Sequence, residues 1–184
     1  MPATWNQASF RGRNDNGSEA VASWIAAENA NWLQEVDKIF RVRFEVEETA
    51  ALLGNCSMQL QYNLKAAGWN NVNATSLVVR VLASAYIADG VATTDQMTTS
   101  AKAFVAGQID EVNGIAGNPA LNNQVTEHEF CIVILGANVA DGDTIQLRGV
   151  DNNAGGAAYG AYTNTPTITV VIPKPFPVGI LRRR

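Results

Sequence analysis

Apolar and polar residues alternate most plainly from Phe40 to Glu47, where Phe40, Val42, Phe44 and Val46 fall on one side and Arg41, Arg43, Glu45 and Glu47 on the other. A period of two is the signature of a β-strand, and a polar second side predicts a strand buried on one face only. Met58, Leu60, Tyr62 and Leu64 repeat the pattern. The chain then turns at Lys65-Ala-Ala-Gly68 and resumes at Trp69-Asn-Asn-Val72, which predicts a β-hairpin. Leu77 to Leu82 is an apolar run broken only by Arg80, Glu127 to Leu135 reads as a central strand, and Thr144 to Arg148 and Thr165 to Ile172 complete the set.

Other stretches are less regular. Residues 1–17 hold no sustained period and close on the turn signal Asn-Asp-Asn-Gly, which predicts an extended N-terminal arm. Ala20, Ala22, Trp24 and Ala26 alternate weakly, so a strand is predicted near 19–27, followed by a loop. Between Asp89 and Asn123 only short apolar pieces interrupt Gly, Thr, Ala and Asn, as long loops with short strands require. Pro173, Pro175 and Pro177 deny donors to any ladder, so residues 173–184 are predicted to leave the sheet as a Pro- and Arg-rich tail.

Seven or eight strands without a dependable helix between them predict an all-β fold, an antiparallel β-sandwich over residues 18–172 with long loops and an extended arm at each end. Composition agrees: among 184 residues, 16% are charged, while 15 Gly and 18 Asn supply neutral turn formers. One His and two Cys are too few for a zinc site built within one chain. The start carries no apolar leader segment and the longest apolar run is far short of a membrane span, which predicts a soluble chain. Cys56 and Cys131 are expected to be free, buried thiols.

Charge separates along the chain. Six of the 13 Lys and Arg residues lie in 1–17 and 173–184, opposed there by Asp15 alone, whereas 18–172 holds seven cations against sixteen acids. An acidic body is a poor platform for nucleic acid, but basic ends fit an acidic protein surface. The residues predicted to bind a partner are therefore Trp5, Phe10, Arg11 and Arg13 in the first arm and Phe176, Arg182, Arg183 and Arg184 in the second, the aromatics as anchors and the arginines as electrostatic contacts.

Catalytic patterns are weak. His128 lies between Glu127 and Glu129, but on a strand the two acids face away from the imidazole. Asp141-Gly-Asp143 is explained by a turn before any calcium site, and the glycines at 155, 156 and 160 lack the Lys-Ser/Thr ending of a phosphate loop. No enzyme activity, metal or cofactor is expected. Of the four tryptophans, Trp69 beside the hairpin turn is the candidate for stacking a sugar, and Trp24 is assigned to the core.

The segments FRGRNDNGSEAVASWIAAENAN, FRVRFEVEET, LQYNLKAAGWNNV, SLVVRVLASAYIADGVATTDQM, TEHEFCIVILGANVADGDTIQLRGV and YTNTPTITV together resemble a family of β-sandwich virion proteins of tailed phages and prophages, over about residues 10–171. The resemblance brings no catalytic residues. It implies a bacteriophage structural protein, and the expectation drawn from it is a capsid decoration or cement protein. Such a protein, made in the host cytoplasm, sits on the capsid surface of the virion, binds the major capsid protein as a homo-oligomer (dimer or trimer) and stabilises the shell, with no nucleic acid or membrane as partner. The alternative is a phage tail or adhesin module that binds host-surface carbohydrate.

Overall fold

A computed structural model describes residues 2–174, and they fold as two large β-sheets packed face to face, together with a small two-stranded sheet that pairs Gly54–Asn55 with Ala120–Leu121. Fifteen strands occur among them: β1 (Trp5–Asn14), β2 (Trp32–Glu35), β3 (Ile39–Glu48), β4 (Gly54–Asn55), β5 (Met58–Leu64), β6 (Trp69–Asn71), β7 (Val79–Val81), β8 (Phe104–Asp110), β9 (Ile115–Ala116), β10 (Ala120–Leu121), β11 (Val125–Ile134), β12 (Thr144–Asp151), β13 (Ala157–Ala158), β14 (Ala161–Tyr162) and β15 (Thr167–Val171). Sheet I runs β14-β1-β3-β11-β7, with β8 also on β11; sheet II runs β2-β15-β12-β5-β6, with β13 on β12 and β9 on β5. The long pairings are antiparallel, whereas β1/β14, β11/β8 and β15/β2 are parallel. No α-helix occurs among the described residues.

The alternation read from the sequence places the core correctly. Phe40, Val42 and Phe44 of β3 and Phe130 and Ile132 of β11 meet Leu60, Tyr62, Ile145, Leu147 and Ile168 of sheet II, all of them buried. Each such side chain removed from water contributes roughly 1.5–3 kcal/mol. Trp32 fills the end of the sandwich, with ring centroids 6.3 Å from Phe10 and 6.2 Å from Phe40. Gly12 makes this possible, because a Cβ there would stand 2.9 Å from the Trp32 ring.

Three expectations are corrected. Residues 5–14 are not an arm: they form β1, paired along its length with β3. A bulge between Gln7 and Ser9 shifts the phase of the strand, so Trp5 and Gln7 face the core before it and Phe10 and Gly12 after it. A strand whose period changes phase midway shows no sustained alternation in sequence. Residues 19–27 are turns and bends rather than a strand, and Trp24 makes a single bridge to Arg13. Finally, β3 is buried on both faces: Arg41 and Arg43 are fully buried and Glu45 nearly so.

Candidate functional site

The outer faces of the two sheets differ in what covers them. On sheet I the outward residues are charged and lie under two loops, 15–31 and 83–103. Arg43 is the centre. Its Nε donates to Glu129 (2.6 Å), Nη1 to Glu127 (2.8 Å), and Nη2 to Glu19 on the covering loop. Arg13 reaches the same Glu129 carboxylate at 3.2 Å, and Arg41 stands 3.1 Å from Glu129 and 3.4 Å from Asp15. The second loop is tied to the same acids, since Gln96 and Met97 donate backbone N–H groups to Glu127 and Thr94 donates one to Glu19. The Trp24 ring closes the top, 4.4 Å from the guanidinium carbons of both Arg11 and Arg13.

Electrostatics follow from this enclosure. Burial disfavours a charged Arg43, but Glu129, Glu127 and Glu19 outweigh it and hold the guanidinium charged. Burial would raise Glu19 too, yet the Thr94 N–H and Arg43 keep its carboxyl below the usual range. Glu127 is pushed up because burial exceeds the help of Arg43 and two backbone donors. Glu45 fares worst. It is buried beside Glu127, Glu28 and Glu47, its Oε1 has no hydrogen-bond partner, and burial with these like charges raises it to about 7.

The predicted partner-binding residues are distributed otherwise than expected. Trp5 is buried, with Nε1 donating to Asp151 at 3.0 Å; Phe10 is a core residue. Arg11 donates to the Ala26 carbonyl, and Arg13 belongs to the buried ion cluster. Trp5, Phe10 and Arg13 are thus buried within the fold rather than carried on an arm, while Arg11 stays half-exposed on β1. Phe176, Arg182, Arg183 and Arg184 lie outside the described residues.

His128 faces the core, opposite Phe44 in register and away from Glu127 and Glu129. Its Nδ1 accepts the Gln108 N–H at 3.4 Å, and burial lowers it to about 4, so it is neutral at ordinary pH. Cys56 and Cys131 are free and buried, with burial holding both thiols protonated. Asp141 and Asp143 serve their turn, accepting from the backbone of Ile172 and Ala140, and Asp143 also pairs with Lys65 at 2.7 Å.

Sheet II presents the contrasting face. Thr167, Gln146, Asn63 and Trp69 stand in register across β15, β12, β5 and β6, and Arg148, Gln61 and Asn71 form the next row. A concavity of about 400 Å³ opens among Asn63, Lys65, Ala66, Thr144, Gln146 and Thr167. Beside it the Arg148 guanidinium carbon lies 4.1 Å over the Trp69 ring and is held by two bonds to Gln61 Oε1, 3.0 and 2.9 Å. Sequence reading singled out Trp69 but missed its neighbours, which come from strands up to about 100 residues apart in the chain. A signal was present for the ion cluster: Arg-x-Arg at 41–43 and Glu-x-Glu at 127–129 are matching period-two charges on adjacent strands.

Comparison with known proteins yields no family model that matches the chain and no curated protein that matches it.

Proposed function

We propose that the protein is a non-enzymatic virion structural protein of the decoration type, which binds the outer surface of a shell of major capsid protein and stabilises it. The observation that supports this reading most is the use made of the reactive side chains. His128 and Cys56 are sunk in the sandwich, Cys131 is buried beside Arg41 under the covering loops, and Glu19, Glu127 and Glu129 are consumed by buried pairing with arginines. These groups stiffen a body rather than converge on a substrate. The resemblance to phage β-sandwich proteins points the same way.

With β1 inside sheet I, attachment falls to the chain from Pro173 onward, whose Lys174 and Arg182 to Arg184 complement an acidic shell. The test is binding of the full chain, and of a chain ending at Ile172, to purified heads of the phage that encodes it. Saturable head binding by the full chain, lost on truncation and weakened by salt, is the expected result. A density map that puts the protein on the tail, or heads that bind neither chain, overturns the proposal.

A further inference from the structure

We propose that the open face of sheet II between Thr167 and Trp69 binds an acidic glycan, an oligosaccharide that carries a carboxylate. Four strands at about 4.8 Å spacing make the Thr167-Gln146-Asn63-Trp69 row about 14 Å long, the scale of a short oligosaccharide. Its groups suit sugar hydroxyls. Among the described residues, the Gln146 amide, the Thr144 and Thr167 hydroxyls and Asn63 Nδ2 donate to or accept from no other protein group, although they border the 400 Å³ concavity. Asn63 is itself buried, its Oδ1 fixed by the Gly68 N–H at 2.9 Å, so its remaining donors are aimed before any ligand arrives.

The charge at one end selects the class of sugar. Arg148 is bonded only to the neutral Gln61 amide and stacked on Trp69; among the described residues no carboxylate pairs with it. Lys65, the other cation beside the concavity, is already neutralised by Asp143. One uncompensated, preoriented guanidinium next to a row of amides and hydroxyls calls for one negative charge on an otherwise hydroxylated ligand. The half-buried Trp69 ring adds an apolar surface for a sugar face. A protein partner would want apolar anchors in the middle of the face, and nucleic acid would want several cations. Neither is present in these two rows.

This proposal does not rest on attachment to a shell. Its test is calorimetric titration of the full chain with tetragalacturonate, a hyaluronan tetrasaccharide, sialyllactose and neutral maltotetraose. At least one acidic probe is expected to bind, more tightly than maltotetraose. Trp69→Ala and Gln146→Ala should each weaken that binding fivefold or more, and Arg148→Gln should bring it down to the level of the neutral sugar. The Gln146 variant, at a solvent-facing position, should melt as the parent does. Failure of every acidic probe, equal binding of maltotetraose, or indifference to these substitutions overturns the site. So does loss of head binding by Gln146→Ala in sugar-free buffer, because the face would then be a protein contact.

Discussion

Sheet I and sheet II both carry polar residues on their outer faces, and only one of the two faces is in contact with water. On sheet I the polar residues are ions, Arg13, Arg41, Arg43, Glu127 and Glu129, sealed under loops 15–31 and 83–103. On sheet II they are amides and hydroxyls, Asn63, Gln61, Gln146 and Thr167, left open. Enclosed charges are costly to strip of water and must be matched partner by partner, so the first face is fixed by its own interior. Neutral amides and hydroxyls carry no such obligation, and on the second face Gln146, Thr167 and Asn63 Nδ2 keep their hydrogen bonds for something else. Polarity alone does not tell a surface from an interior; the kind of polar group does.

Substitution should separate the two faces sharply. Arg43→Ala leaves Glu19, Glu127 and Glu129 without their central cation and is expected to cost about 3–5 kcal/mol, lowering the melting temperature by roughly 10 °C or more. A loss comparable to that of an exposed position would show the cluster to be solvated after all. Trp5→Ala, which empties a core site and frees Asp151, should cost about 3 kcal/mol in the isolated protein. That result, read by denaturant unfolding, distinguishes a core residue from a docking anchor.

Glu45 gives the comparison a pH axis. Its carboxyl binds a proton more tightly in the fold, up to about 7, than the roughly 4.3 of an unfolded chain, so the native state holds more protons between these values. Stability should therefore be full below about pH 4.3 as far as this group is concerned and fall as pH rises toward 7. The total is about 3–4 kcal/mol, and Glu45→Gln should flatten that part of the unfolding profile. Smallest of all, Gln146→Ala on sheet II should change stability by less than about 0.5 kcal/mol. A large loss there would mean that the open face holds the sandwich together.

Legibility in the sequence followed the same division. Strands β3, β5, β12 and β15 could be read because alternation survives along them, and β11 because its apolar run marks a central strand; the residues placed inside are inside. β1 could not, because the bulge at Gln7 to Ser9 changes its phase, and residues 19–27 mimicked a strand through small alanines that carry little burial. Alternation also names two sides without saying what lies over them. Arg43 looked solvent-facing because its partners, Glu127 and Glu129, are 84 and 86 residues away, and the loop that supplies Glu19 gives no sign in sequence that it folds over β3. The open face of sheet II was hidden for the related reason that its rows run across strands rather than along them.

The distance along the chain between Arg43 and its acids also has a meaning in time. At 5–20 residues per second, the 84 residues from Arg43 to Glu127 take a ribosome about 4–17 s to add. Throughout that interval β1 and β3 can pair with each other, but their arginines must stay hydrated and the side they occupy cannot close. The ion cluster thus becomes complete only after β11 has been made, whatever the hydrophobic side has achieved before. A chain released early, short of Glu127, would keep a wet and unclosed face on sheet I. The buried charges in this way make the finished sandwich conditional on a finished strand, a form of inspection for completeness written into the interior.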